Sequence, residues 1–171
     1  MDEQRELDVQ AMHFPSVTIY SDGSYKPMLK VGGYGTIMVS GPNTQFLYGG
    51  SYDTSNNVME LTAVLAALRT LTCPCRVLVV TDSKYVADGI SRWMGGWAAN
   101  GWIKRDGKPI SNLALWQEMY AHAQVHLIHT QWVKGHSGDS ANQTCDHLAA
   151  IGAYNTAHIP VPSYLLDETR L

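Results

Sequence analysis

The sequence has little of what marks several classes of protein. It contains three cysteines in 171 residues, and a small odd number of cysteines gives no disulfide framework. Cys73 and Cys75 are separated by a single residue, closer than the spacing that is usual in redox and zinc-binding motifs. We therefore expect thiols rather than disulfides, a reducing compartment and no zinc site.

Long apolar runs are also missing. No segment is apolar over the length that a bilayer requires, and the first residues are polar and charged where a secretory signal would be basic and then apolar. These absences predict a cytoplasmic protein with no membrane partner.

The sequence also lacks an excess of basic residues. The chain has 12 lysines and arginines against 15 acidic residues, so its formal net charge is -3. A polyanionic partner would therefore have to contact positive charge that is concentrated in one region. Residues 92–108 carry four cations against one acidic residue, a local net charge of +3, which leaves -6 on the rest of the chain. Positive charge is thus focused in this segment.

The length and an apolar fraction of 45% favour one globular domain with a substantial core. We place that domain at residues 16–152, between an N-terminal extension at 1–15 and a C-terminal tail at 153–171. A monomer is expected. A stand-alone protein and a fragment of a larger polyprotein both remain open.

Apolar periodicity predicts the elements of this domain. Residues 17–21, 34–40 and 45–50 have the pattern of three strands in an antiparallel meander, and 76–81 and 126–132 predict two more. Helical spacing follows Asn56 and Asn57, which we take as N-cap residues, and ends at Cys73-Pro74. Further helices are predicted at 83–90, 112–124 and 140–152. The order βββ-α-β-α-α-β-α predicts an α/β (mixed α+β) fold, with one five-stranded mixed sheet and helices on both faces.

Four acidic residues lie in separate segments of this pattern. Asp22 and Asp82 come where apolar strands end, whereas Glu60 and Asp146 lie on predicted helices. Each one alone has a structural explanation, such as a cap, a turn or a solvated helix position. Together at one end of a sheet they would repel each other unless cations neutralised them. The set therefore points to a site for Mg²⁺, which prefers oxygen ligands and supports phosphoryl chemistry.

Six motifs around these residues resemble the ribonuclease HI family in order and spacing. They are TIYSDGS at 18–24, GGYG at 32–35, NNVMEL at 56–61, TDSKYV at 81–86, WVKGHSG at 132–138 and NQTCDHLA at 142–149. The resemblance implies a ribonuclease H-like fold over residues 16–152. It also implies an endonuclease that cuts the RNA strand of RNA–DNA hybrids to 5′-phosphate and 3′-hydroxyl products.

The same resemblance assigns roles to residues. Asp22, Glu60, Asp82 and Asp146 would bind two Mg²⁺ ions, for which Mn²⁺ could substitute, and His136 would assist proton transfer or product departure. Residues that would contact the hybrid match the family's minor-groove, phosphate-pocket and basic-handle positions. They are Ser55, Asn56, Asn57, Trp97, Trp102, Lys104, Arg105 and Asn112. The handle is the segment 91–111, in which we take Trp93, like Trp116 beyond it, as a core residue and the other two tryptophans as contacts.

Two departures from the family pattern predict weaker binding of the hybrid. Met28 stands where many members have an asparagine, and Ala98-Ala99-Asn100 stands where many bacterial members have consecutive basic residues. Two other functions stay open on the sequence. One is a related nuclease or transposase that acts on DNA, and the other is a catalytically silent module that binds hybrids.

Overall fold

The computed structural model of the protein describes residues 9–135, 138 and 140–167. Its centre is a five-stranded sheet in the order β3-β2-β1-β4-β5. The first three strands form an antiparallel meander, and β4 and β5 run parallel to β1. The strands are β1 (Ser16–Lys26), β2 (Val31–Ser40), β3 (Asn43–Tyr52), β4 (Arg76–Thr81) and β5 (Leu127–Trp132). The predicted mixed sheet and its meander are confirmed.

The helices follow the predicted order, with additions in the handle and the tail. They are α1 (Asn56–Leu68), α2 (Lys84–Asp88), α3 (Met94–Ala99), α4 (Leu113–Ala123), α5 (Ser140–Thr156) and α6 (Ser163–Asp167). A π-helical turn, Gly89–Trp93, joins α2 to α3. The last helix lies in the tail, where the sequence predicted no element.

Alternating side chains of β1 face two separate apolar clusters, as the two-residue period of a strand requires. Ile19 lies in the cluster that α1 and α4 cover, together with Leu65 and Trp116. Tyr20 packs on the opposite side, in the cluster that includes Cys145 and Leu148 of α5. The expected placement of helices on both faces is therefore confirmed.

Two expectations about α1 were wrong. Its N-cap is Ser55, whose backbone is extended and whose hydroxyl accepts a hydrogen bond from the Val58 N–H at 3.2 Å. Asn56 and Asn57 are instead the first helical residues. The helix ends at Leu68, with Arg69 as its C-cap, several residues before Cys73-Pro74. The serine was overlooked because the asparagines are equally good caps by residue type.

Within the described residues, no helix combines the length and the apolar character that crossing a bilayer would require.

Candidate active site

Strand pairing brings the first two acidic residues to the same level of the sheet. Ser21 of β1 is in register with Thr81, the last residue of the parallel strand β4. The next residue on each chain is an aspartate, Asp22 on β1 and Asp82 beyond the end of β4. Because parallel strands point the same way, both carboxylates emerge at the same end of the sheet.

The third carboxylate comes from α1, which packs very closely against β1. A Cβ atom on Gly23 would lie 2.3 Å from the backbone nitrogen of Glu60, so only glycine permits this approach. Glu60 is 4% exposed and Asp22 8% exposed. Oxygen atoms of Asp22, Glu60 and Asp82 all lie within 4.8 Å of one another. We call these three residues the carboxylate triad.

Asp146 lies beside the triad rather than within it. It is half-buried on α5, and that helix is held against β2 at Gly35, where a Cβ atom would lie 2.2 Å from the Cys145 carbonyl oxygen. The negative charge of Asp146 helps to raise the pKa of Asp22. It is not among the causes of the raised pKa of Glu60. Asp22 is therefore the residue that interacts with all three other carboxylates.

Burial and mutual repulsion set the electrostatics of the triad. The pKa of Asp22 is raised to about 8, mainly by burial and then by the charges of Asp82 and Asp146. Burial also raises the pKa of Glu60, with added repulsion from Asp22 and Asp82. Without a cation, this group of carboxylates resists full ionisation.

One oxygen atom of the triad indicates that a metal ion fits this site. Oε2 of Glu60 is buried and has no hydrogen-bond partner. An orphaned carboxylate oxygen in a buried position is costly unless a donor or a cation satisfies it. An all-oxygen donor set suits a hard divalent cation such as Mg²⁺. The residues present therefore fit the ion that the sequence implies.

Contacts around Asp82 fix its position. The indole Nε1 of Trp132 donates a hydrogen bond to the backbone oxygen of Asp82 at 2.9 Å. A Cβ atom on Gly135 would lie 2.6 Å from Asp82 Oδ2, so the loop after β5 passes directly over this carboxylate. Sequence reasoning missed the tryptophan, whose signal was its place at the end of the last strand. The predicted catalytic His136 lies outside the described residues.

The predicted hybrid-contacting residues lie at helix starts and on the handle. Ser55, Asn56 and Asn57 are exposed at the N-terminus of α1, one turn before Glu60. Asn112 caps α4 in a left-handed conformation, and its Nδ2 donates to the Tyr85 hydroxyl at 3.0 Å. Met28 is fully exposed in the turn after β1. Tyr85, which also accepts from Trp116 Nε1, is a positioning residue that the sequence did not reveal.

One of the handle tryptophans differs from its predicted placement. Trp93, taken as a core residue, is 39% exposed, whereas Trp116 is fully buried as expected. Trp97 and Trp102 are half-buried and pack edge-on against Trp116 and Tyr120. Trp93 is the last residue of the π-helical turn, an element that the sequence did not predict. The roles of Trp97 and Trp102 as contacts stay predictions.

Gly23→Ala tests the close packing that positions Glu60. The new methyl group would collide with the backbone of Met59 and Glu60, so α1 must move away from β1. We expect a loss of stability on the order of 1–3 kcal/mol, as for overpacking in a core, and an activity loss of about 10²-fold from the displaced carboxylate. Thermal unfolding and hybrid cleavage measure the two effects. Gly95→Ala, whose Cβ would meet nothing, is the matched control, and equal behaviour of the two variants would contradict the account.

Similarity to known proteins identifies the family of this chain. The family model described as RNase H matches residues 15–154. The chain belongs to the ribonuclease H family. Hydrolysis of RNA in RNA–DNA hybrids is general to that family, so the protein is a ribonuclease H, an endoribonuclease of the hydrolase class. Dependence on a metal ion is also general to ribonucleases H, and the carboxylate triad fits it.

Individual relatives agree with this assignment. Ribonuclease H of Cupriavidus pinatubonensis is 48% identical over 141 residues, covering 82% of this chain and 97% of that protein. Ribonuclease H of Cupriavidus necator is 49% identical over 136 residues, covering 80% and 94%. Among solved structures, LC9-RNase H1, described as a type 1 RNase H with the type 2 active-site motif, superimposes with a TM-score of 0.75. It is 30% identical, and the alignment covers 92% of this chain and 82% of that one.

Proposed function

We propose that this ribonuclease H cuts the RNA strand of RNA–DNA hybrids by a two-metal mechanism, leaving a 5′-phosphate and a 3′-hydroxyl. The observation that carries the proposal is the carboxylate triad, drawn from β1, α1 and the end of β4 with an orphaned buried oxygen on Glu60. Acidic groups that fold together at such an electrostatic cost need a function that uses cations.

The interactions among the four carboxylates bear on which of them would bind each of two metal ions. Glu60 and Asp82 interact with Asp22, and Asp146 interacts with Asp22 from α5. The family resemblance implies that two ion sites share Asp22, one with Glu60 and Asp82 and the other with Asp146, and these interactions support that division. Bound Mg²⁺, or Mn²⁺ in its place, would supply Lewis-acid charge and a water of lowered pKa. Trp132 and Gly135 would keep Asp82 in place for this task.

The remaining site residues keep the roles that the resemblance implies. His136 would transfer protons or assist product departure. Asn56 and Asn57 would contact the minor groove of the hybrid. Ser55 and Asn112 would help to form a phosphate pocket at helix N-termini, where backbone N–H groups favour phosphate. Handle contacts would come from Trp97, Trp102, Lys104 and Arg105, the last two being exposed cations. The catalytic unit would be a monomeric domain over residues 16–152, without zinc.

A comparison of substrates tests the proposal. The protein should cut an RNA–DNA hybrid in Mg²⁺ and leave duplex DNA and duplex RNA of the same sequence intact. Preferential cutting of duplex DNA would favour the related nucleases that act on DNA. Binding of the hybrid without cutting, in either Mg²⁺ or Mn²⁺, would favour a silent binding module.

Adding charge to the handle should tighten hybrid binding. Ala98 and Ala99 lie on α3, and lysine at both positions should steepen the dependence of log K on log salt, by about 0.7–0.9 for each new phosphate contact. Binding isotherms at several salt concentrations measure this slope. The matched control places two lysines at Thr44 and Gln45 on the edge strand β3. An equal change of slope in both variants would show that the handle does not contact the hybrid.

A further inference from the structure

A groove next to the active site carries chemistry that the proposed function has not used. It encloses about 280 Å³ between α2 and the end of β5. Its lining residues are Lys84, Ala87, Asp88, Arg92 and Trp132. Arg92 lies at the start of the handle, but none of these residues belongs to the carboxylate triad or is among the eight residues named above as hybrid contacts.

Two links join this groove to the carboxylates. Trp132, one of its lining residues, donates its indole N–H to the backbone oxygen of Asp82. Lys84, another lining residue, is the first residue of α2 and follows Asp82 by two positions. A nucleic-acid strand whose phosphate lies at the carboxylates would therefore meet this groove within the next few nucleotides.

The groove also combines an aromatic face with positive charge. The Lys84 ammonium lies 4.8 Å from the centre of the Trp132 ring, and the indole is 45% exposed. Arg92 lies two helical turns from Lys84, and its side chain is 74% exposed. Asp88 is the single acidic group, 3.9 Å from Arg92, so the lining carries a net positive charge. Aromatic rings beside cations are the features that hold a nucleic-acid strand by stacking and phosphate contact.

We infer that the Lys84–Arg92–Trp132 groove is a subsite for the RNA strand, adjoining the phosphate that is cut. The cut strand must run past the carboxylates, so a cationic groove joined to Asp82 meets that strand rather than the complementary DNA. Lys84 and Arg92 would contact successive phosphates of the RNA, and the Trp132 ring would pack against a sugar or base between them. This inference rests on the proposed hybrid cleavage.

Charge-removing variants test the subsite. Lys84→Ala and the double change Lys84→Ala with Arg92→Ala should raise KM about 5-fold and 20-fold, with the effect on KM rather than kcat. Each lost phosphate contact should reduce the salt slope of binding by about 1. Asp88→Asn should act in the opposite direction and tighten binding. Arg76→Ala, at the end of β4 away from Asp82, is the matched control and should leave both quantities unchanged.

Hybrids with uncharged methylphosphonate linkages identify the strand. If the subsite takes RNA, one neutral linkage in the RNA strand within about three nucleotides of the cut should abolish the KM penalty of Lys84→Ala. The same linkage in the DNA strand should leave that penalty in place. An unchanged salt slope in the double variant, or a penalty that only DNA-strand linkages remove, overturns the inference. Failure of the unaltered protein to cut any hybrid would instead overturn the proposed function.

Discussion

Replacing Asp22 with asparagine is expected to reduce hybrid cleavage by at least about 10³-fold, because a metal site contributes several kcal/mol to stabilising the transition state. Asp22 is the carboxylate that interacts with each of the other three, so its loss affects both proposed ion sites. The amide keeps the size of the side chain but removes its charge. Initial rates of hybrid cleavage at saturating Mg²⁺ measure the effect.

The same change should leave the protein folded and, above about pH 8, more stable without metal. At that pH the Asp22 carboxyl would ionise, and its replacement relieves the repulsion on Glu60 and Asp82. Asp53→Asn is a matched control, because Asp53 is exposed, lies outside the triad and has a left-handed backbone that asparagine tolerates. Substantial residual cleavage by Asp22→Asn, with the fold intact, would refute the assignment of the metal ligands.

The second large effect is a loss of stability of the metal-free protein as pH rises. Folding raises the pKa of Asp22 to about 8 and that of Glu60 to about 9. Both values lie above the ~4 of carboxyl groups in an unfolded chain. Between these limits the folded state binds more protons than the unfolded state, so the free energy of unfolding falls as pH increases. We expect a loss on the order of a few kcal/mol, or roughly 5–10 °C in Tm, between pH 5 and pH 9.

Two controls isolate this effect. The lowered pKa values of His122 and His126, which burial causes, act in the opposite direction, since the unfolded chain binds more protons there as pH falls through about 6. The difference between the native protein and Asp22→Asn removes that contribution. Mg²⁺ should restore stability more strongly at pH 9 than at pH 5, because its ligands must be deprotonated. A Tm difference between the two proteins that does not change with pH would contradict the raised pKa values.

The sequence predicted those parts of the molecule that depend on local pattern and on the order of elements. The strand ends at Asp22 and Asp82 were visible because apolar runs stop there, and parallel pairing then places both carboxylates at one edge. Glu60 was visible through its motif. Its position against Gly23 was not, because the contact depends on the distance between a helix and a strand.

Other features depend on packing that no residue pattern encodes. Trp93 was expected in the core, but it is exposed at the end of a π-helical turn that the sequence did not predict. The bond from Trp132 to Asp82 joins residues that are distant in sequence but adjacent across β4 and β5. The groove beside this hydrogen bond could not be predicted, because its lining residues come from two separate segments of the sequence. Contacts between strands, and between helices and the sheet, are therefore the features of the site that the sequence did not reveal.

Cleavage of an end-labelled RNA–DNA hybrid, followed across a Mg²⁺ titration with analysis of the product termini, tests the central claim most directly. The account predicts no product when the ions are chelated and a rate that rises with Mg²⁺. It predicts cuts in the RNA strand alone, with a 5′-phosphate on every downstream fragment. Products that form in chelator, or that carry a 2′,3′-cyclic phosphate, would contradict it.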